Sequence, residues 1–505
     1  MEKASFIMKA KKILCFLLVV VLCFVTLAGC KGGNGKTPDS TPSQGNNTQE
    51  DTDPSLVNDL KEYYDFGNEE FAILARTETS YEFAETGTGS FVEEAVVGRN
   101  YYVMEHCNVE ISVKTRMGNW NNRDTFITAV RNNSAMGDSV YDLVATHSGY
   151  LLQLAVEGLG QNLAELPNIN FTKRWWSEQY YEVANYNGAM YIAFGDIAYS
   201  LYEYLMVFFY NERLANDYNI NDSLAEEYGV DSLYELALNG DWTFEKLMIY
   251  TQYITTDPDS ANPVYGLLEN GHGTHAYVSS FGLELVPLIG GVRTISPSIP
   301  ESLFTPMNRV IQFLQNTESV RIDFTEENSV NTQNPIFVAG RSLFYQQKLG
   351  QATYFKAEME DGYGVLPYPK YDDNQLVYHT DYCDDLTAIM IPKNVRVSDL
   401  EMIGTVTEML CMESYRSVVN QFYEKTLKYQ SFQNPLCVDT LELIRTSFSP
   451  TFAKVFTVVL GTPASILGNT VETKGNLSSY WTAHVSDWQN QLKKLFANLD
   501  KIAAA

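Results

Sequence analysis

The apolar residues of this chain change their spacing along its length, and each spacing predicts a different element. Residues 13–27 form an apolar run, interrupted only by Thr26, behind Lys3, Lys9, Lys11 and Lys12. As a helix the run rises about 22 Å, short of a ~30 Å hydrocarbon core. A positive start and a short apolar stretch read as an export signal rather than a span. Residues 31–54 then contain no hydrophobic residue. With nothing to bury against the entropy of ordering, they read as a disordered linker. Beyond it, 71–75 (FAILA) reads as a short strand, and 89–104 places Val92, Ala95, Val96 and Val103 at helical spacing. Residues 109–115 alternate as a strand, 122–132 put Phe126, Ile127 and Val130 on one side of a helix, 141–145 is again a strand and 148–157 a helix. This βαβαβα order predicts a mainly parallel sheet flanked by helices. Ligands of such open sheets sit beyond the carboxyl ends of the strands. Residues 76–78 and 146–150 occupy two such ends.

The middle of the chain, roughly 201–381, is mixed and rich in Tyr. Asp241 or Thr243 caps a helix, and Trp242 between them reads as a packing residue at its start. Strands are expected at 341–345 after the Gly340 turn, at 363–369 up to a proline, and at 387–391. A long helix is expected over 400–422. A last helix over 477–499 carries Leu477, Trp481, His484, Trp488, Leu492, Leu495 and Leu499 in one stripe, which makes both tryptophans core.

About 450 residues follow the linker, long for one core, so two domains are expected. The formal charge of the 505-residue chain is −27. A body this acidic is repelled by phosphates, which argues against nucleic acid and anionic lipid as partners. Cys107, Cys383, Cys411 and Cys437 are scattered and form no CxxC pair, so zinc-finger and redox motifs are absent. Pairing among them is not legible, and buried thiols are the simplest reading.

Leu27-Ala28-Gly29-Cys30 resembles the lipobox of bacterial lipoproteins. The resemblance implies cleavage after residue 29, diacylglycerol on the Cys30 sulfur, and a body tethered by 30–54 to the outer face of the cytoplasmic membrane. The stretches YDLVATHSGYLLQLAVEGL, RWWSEQYYEVANYNGAMYIAFGD, VFFYNERLANDYNI, NGDWTFEKL, FVAGRSLFYQ, GYGVLPYPK and AIMIPKN follow one another between Tyr141 and Asn394. Together they resemble the extracellular solute-binding proteins of family 1, the ABC-importer class that includes the maltose-binding protein. That resemblance implies two α/β lobes of the type II periplasmic-binding-protein kind, joined by hinge segments and closing on a ligand. Carried over, the chain crosses near 193–203, again near 384–391, and a third time near 430–441. Lobe one is then 55–195 plus 388–435, and lobe two 196–387 plus 436–505. The HGTH region and 279–327 are candidates for the length beyond a typical member. The implied protein is a monomer that delivers a carbohydrate, an oligosaccharide in the first instance, to permease subunits. It needs no cofactor and does no chemistry.

A sugar offers apolar CH faces and a rim of hydroxyls, so its site needs rings and directional polar groups. Carboxylates suit the rim because each accepts two hydroxyl donors with charge assistance. The candidates are Arg76 and Glu78 after the first strand, and His147 and Tyr150 after the third. To these are added Trp175 and Trp176, Asp196 with Tyr199 and Tyr202 at the first crossing, and Tyr378, Asp381 and Asp384 ahead of the second. Adjacent Trp175 and Trp176 in extended chain point oppositely, one into the core and one towards a ligand. Two rivals stay open. The acids and aromatics also suit a peptide or cationic amine, and DYCDD offers neighbouring carboxylates to a surface glycosidase. His272-Gly-Thr-His275 holds two imidazoles but no third metal ligand nearby in sequence, so no metal site is expected.

Overall fold

The computed structural model describes residues 53–504, apart from 258, 326–328 and 433. The expected signal, Cys30 and all but the end of the linker lie outside the described residues. Among the described residues no helix is long and apolar enough to cross a membrane.

Two sheets anchor two lobes. The first begins with β1 (Glu69–Arg76), α1 (Phe91–Cys107), β2 (Val109–Arg116), α2 (Arg123–Ser134), β3 (Leu143–His147) and α3 (Ser148–Val156). β1 pairs parallel with both β2 and β3. Its residues 71–76 are all buried, as a strand covered on both faces requires. β3 begins and ends two residues later than the alternation predicts, which makes His147 its last residue.

The chain then builds a second sheet from β4 (Met206–Asn211) and β5 (Tyr265–Asn270). A hairpin, β6 (Leu288–Ile289) and β7 (Val292–Arg293), stands apart before β8 (Val320–Asp323), β9 (Ser342–Lys348) and β10 (Tyr363–Leu366) complete it. Strand β11 (Thr387–Met390) returns to the edge of the first sheet. The spatial orders are β11-β3-β1-β2 and β10-β4-β9-β5-β8. β5 runs parallel to β8 and β9, whereas β4 is antiparallel to β9 and β10, and β11 to β3. The antiparallel pairings involve the strands that flank the crossings, so both sheets are mixed rather than wholly parallel. An aromatic cluster fills the second lobe: Phe209, Phe337 and Tyr345 surround Phe355, with Phe209 edge-on to it at 5.0 Å.

The two crossings lie side by side between the sheets. Met206 N–H donates to Asp381 O at 2.9 Å and Cys383 N–H to Tyr204 O at 2.8 Å. Further along, Ala193 and Ile389 exchange both amide bonds at 3.0 Å.

Around the sheets lie α4 (Phe244–Gln252), α5 (Gly271–Ser280), α6 (Glu301–Asn316), α7 (Leu400–Glu413), α8 (Pro435–Thr446), α9 (Phe452–Val455) and α10 (Leu477–Ala503). The single helix expected over 400–422 is α7 followed by wider π turns at 414–418 and 421–431. α7 lies directly on the first lobe's backbone: a Cβ at Gly404 would collide with Pro167 O. α8 packs on β10. α10 touches both lobes, with Trp481 Nε1–H donating to Ser296 O at 3.2 Å and Tyr186 bonded to Asp500 near the far end. Trp481 and Trp488 are buried edge-to-face at 5.5 Å, the core pair their stripe predicts.

Candidate functional site

The carboxyl ends of the central strands meet the second crossing. β3 ends at His147, buried with 2% of its surface exposed. Its Nδ1 accepts the Gly149 N–H at 3.0 Å. The neutral ring therefore carries its proton on Nε2, which faces Asp384 Oδ2 at 3.9 Å and Asp385 Oδ1 at 4.0 Å. The imidazole stacks on Tyr150 at 4.6 Å, 10° from parallel. Burial lowers the His147 pKa against the pull of both carboxylates, and burial pushes the Tyr150 hydroxyl up to about 12. β1 ends at Arg76, also buried, whose Nε donates to Thr79 Oγ1 at 3.1 Å while Nη2 has no protein partner.

The second lobe answers with His272 in the first turn of α5 and Lys348 at the end of β9. His272, Asn270 and Lys348 line one small cavity. The Lys348 ammonium lies 4.8 Å over the Tyr204 ring. From α9, Lys454 Nζ reaches Asp381 Oδ2 at 3.9 Å. Burial works to raise the Asp384 pKa, but Lys454 and the imidazoles of His147, His272 and His275 around it overcome burial and hold the value low. Asp385 is likewise held low against burial and the charge of Asp384, by His147, His272 and Lys348. Cys383 raises the His272 imidazole to about 10 against burial. His275, which accepts the Gly468 N–H, is pushed down to about 3 by burial first and Lys454 next.

Of the residues chosen from sequence, Arg76, His147, Tyr150, Asp381 and Asp384 belong to this neighbourhood. Asp381 is buried against Lys454 and accepts its neighbour's amide from Tyr382 at 2.8 Å. Trp176, Asp196 and Tyr202 instead line a separate open cavity of about 980 Å³, shared with Leu205, Arg445 and Phe448. Asp196 Oδ1 accepts the Tyr202 hydroxyl at 2.7 Å, Oδ2 has no protein partner, and burial raises this carboxyl to about 7. Glu78 is exposed and ties down the loop after β2 by accepting Gly118 and Asn119 N–H, both at 3.0 Å. Tyr199 packs between Tyr81 and Phe422. Tyr378 OH accepts Trp242 N–H at 3.1 Å.

The tryptophan pair departs from its expectation. Residues 171–175 turn rather than extend, so both indoles point the same way. Both donate to Glu408 of α7, each at 2.8 Å. The HGTH motif lies in a helix, Gly271–Ser280, that follows a central strand, and its two imidazoles part company: His275 accepts Gly468 N–H, whereas His272 stands near Cys383 and Asp384. Lys348 and Lys454 carry no sequence signal, since a single lysine in an apolar stretch reads as surface. Asp385 was adjacent to a chosen residue and needed only the same argument.

Several buried carboxyls away from the cleft set a pH dependence. Burial raises Glu408, Asp196 and Glu203 to about 7 and Glu269 to about 8. The unfolded chain releases these protons near pH 4, so above that the folded chain holds more, and stability falls as pH rises through the folded values. The histidines oppose this only at the start of the range from pH 6.5 to 8.5, where unfolded imidazoles are still half-protonated while His147, His275 and His379 are lowered and neutral in the fold. Raised His272 works the other way, keeping a proton that the unfolded chain loses across the range. The melting temperature is expected to drop by roughly 5 °C from pH 6.5 to 8.5. A scanning-calorimetry series in which it stays level or climbs contradicts this assignment.

No family model matches the chain, and no curated protein is similar to it in sequence. Solved structures share its fold. A cyclo/maltodextrin-binding protein complexed with maltotetraose superposes with a TM-score of 0.54 at 13% identity, covering 84% of this chain and 97% of that one. An ABC transporter solute-binding protein from Thermotoga lettingae bound with α-D-tagatose gives 0.52 at 13% identity, covering 85% and 100%. The galacto-N-biose/lacto-N-biose I-binding protein of Bifidobacterium longum, in complex with lacto-N-biose, gives 0.50 at 12% identity, covering 86% and 98%. The two-lobed, hinge-connected fold expected from the resemblance is thus the fold observed.

Proposed function

We propose that this chain is an exported, lipid-anchored solute-binding protein that closes its two lobes on a carbohydrate and delivers it unaltered to the permease of an ABC importer. The observation that carries the reading is the set of groups at the strand ends: Asp384 and Asp385 beside His147, with the Tyr150 ring stacked behind. Ionised carboxylates accept paired hydroxyls. The proposed lobes are 55–195 plus 388–435, and 196–387 plus 436–505, with Cys30 as the anchor. The paired crossings are the bending points, and ligand favours the closed arrangement by touching both lobes at once.

The balance of charge favours a neutral guest over a cation. Asp384 is opposed by the ammonium of Lys454 and by the raised, charged His272, which leaves little net negative field to attract an amine. Hydrolysis is disfavoured for a related reason. A glycosidase keeps one carboxyl protonated as the acid, whereas Asp384 and Asp385 are both held ionised.

A thermal-shift screen of mono- and oligosaccharides tests the reading, since a ligand at 100 times its Kd adds about 2.7 kcal/mol to the folded state. Asp384→Ala is expected to weaken the best sugar by about 1.5–3 kcal/mol, the worth of hydrogen bonds to a charged group. A screen in which only peptides or amines shift the melting point, or an Asp384→Ala variant with undiminished sugar affinity in calorimetry, rejects it.

A further inference from the structure

The sugar-binding reading uses Asp384 but gives no task to the two groups beside it. His272, Cys383 and Asp384 bring a ring nitrogen, a sulfur and a carboxylate oxygen within 4.8 Å of one another. They come from two separate pieces of chain. His272 stands at the start of α5, whose cap is formed by Asn270 Oδ1 accepting Gly273 N–H at 2.9 Å. Cys383 and Asp384 stand on the second crossing, pinned by the Cys383 amide to Tyr204 O at 2.8 Å. Both backbones are fixed, so only side-chain rotation is needed to close the donors onto one centre. Bonds of 2.0–2.3 Å to nitrogen, oxygen and sulfur give a tetrahedral shell with edges of about 3.5 Å, one small adjustment from what is seen.

We infer that this cluster binds a divalent transition-metal ion of the zinc type, joining the second lobe's α5 to the returning crossing. The donors select the ion. A thiolate with an imidazole suits Zn²⁺, while Ca²⁺ and Mg²⁺ ask for oxygen alone. Cys383 is a free thiol and buried, and His272 and Asp384 are half-buried, so the ion has a way in. The fourth position falls to Asp385, whose Oδ2 lies 3.9 Å from the Cys383 sulfur, or to solvent. His147 is excluded, because the Gly149 N–H on its Nδ1 leaves the proton on Nε2, the nitrogen that faces Asp384. The inference stands whatever solute the cleft captures.

The test uses the mature protein without a histidine tag, stripped with chelator and titrated with Zn²⁺ and Co²⁺. One equivalent of Zn²⁺ per chain is expected, together with a thiolate-to-cobalt charge-transfer band in the Co²⁺ form. Cys383→Ser abolishes the band, His272→Ala weakens Zn²⁺ at least about 100-fold, and Cys437→Ser leaves both unchanged. No stoichiometric uptake, a band that survives Cys383→Ser, or Ca²⁺ and Mg²⁺ binding as tightly as Zn²⁺ would overturn the inference. If the variants unfold by circular dichroism, the Co²⁺ spectrum of the unaltered chain decides alone, and a spectrum without the thiolate band rejects the site.

Discussion

Glu408→Ala is expected to lower the folded chain's stability by about 3–5 kcal/mol, the loss typical of a broken buried network. Glu408 is 2% exposed on α7 and is the acceptor for three donors of the segment that crosses it. The Trp175 indole reaches Oε1 at 2.8 Å; the Trp176 indole and the Asn170 amide reach Oε2 at 2.8 and 3.2 Å. Alanine strands all three, and each unsatisfied buried donor costs about 1–3 kcal/mol. Water admitted to the space recovers part of that sum, which sets the upper end of the range. Glu408→Gln keeps the volume and one acceptor oxygen but sets an amide NH₂ against an indole N–H, so it falls between the two. Denaturant unfolding followed by tryptophan fluorescence measures the series directly. An alanine variant within 1 kcal/mol of the parent would mean that the indoles are satisfied some other way.

Lys454→Met is expected to cost a similar amount near neutral pH, about 3–5 kcal/mol, because it leaves buried charge uncompensated. Lys454 is 7% exposed and the Asp381 it faces only 1%. Removing the cation sets Asp381 and Asp384 against each other. The double variant Lys454→Met/Asp381→Asn is expected to recover most of the loss, since replacing both members of a buried pair is often close to neutral. pH supplies a second reading of the same interaction. Burial already raises the Asp381 pKa with Lys454 opposing it. Without the lysine the folded state takes up its proton at higher pH still, so the deficit of the single variant shrinks as pH falls from 8 towards 5. A double variant no more stable than the single one would show that Lys454 acts through packing, for instance on the Tyr382 ring 5.3 Å away.

The Lys454 result bears on function through the second crossing. The crossing over 381–387 carries Asp381 to its lysine, Cys383 to His272 and Asp384 to His147, so its backbone position sets the cleft. A destabilised Lys454→Met variant is accordingly expected to lose ligand affinity as well as stability, whereas Glu408→Ala, acting on the 170–176 segment, loses stability with affinity retained in the fraction that folds.

The alternation of strand and helix from β1 to α3 was legible because each element buries its own apolar face, a property of spacing over a few residues. The same holds for the stripe that makes Trp481 and Trp488 core. The segment order also carried the resemblance to two-lobed binding proteins, and with it the expectation of three crossings between lobes. The strand-end residues His147 and Tyr150 could be chosen because position after a strand is itself a local property. Other pairings had no such trace. Trp175 and Trp176 share an acceptor more than 230 residues away, and a turn rather than an extended segment aims both rings at it. His272 meets Cys383 and Asp384 only because β5 ends beside the returning chain, and Lys454 enters from a helix of four residues near the C-terminus. Sequence spacing determined which segments fold and where apolar faces lie, through contacts a few residues apart. Which charges face one another across the cleft was decided by tertiary structure alone, because electrostatic partners depend on distance through space and burial, and neither is written in the neighbouring residues.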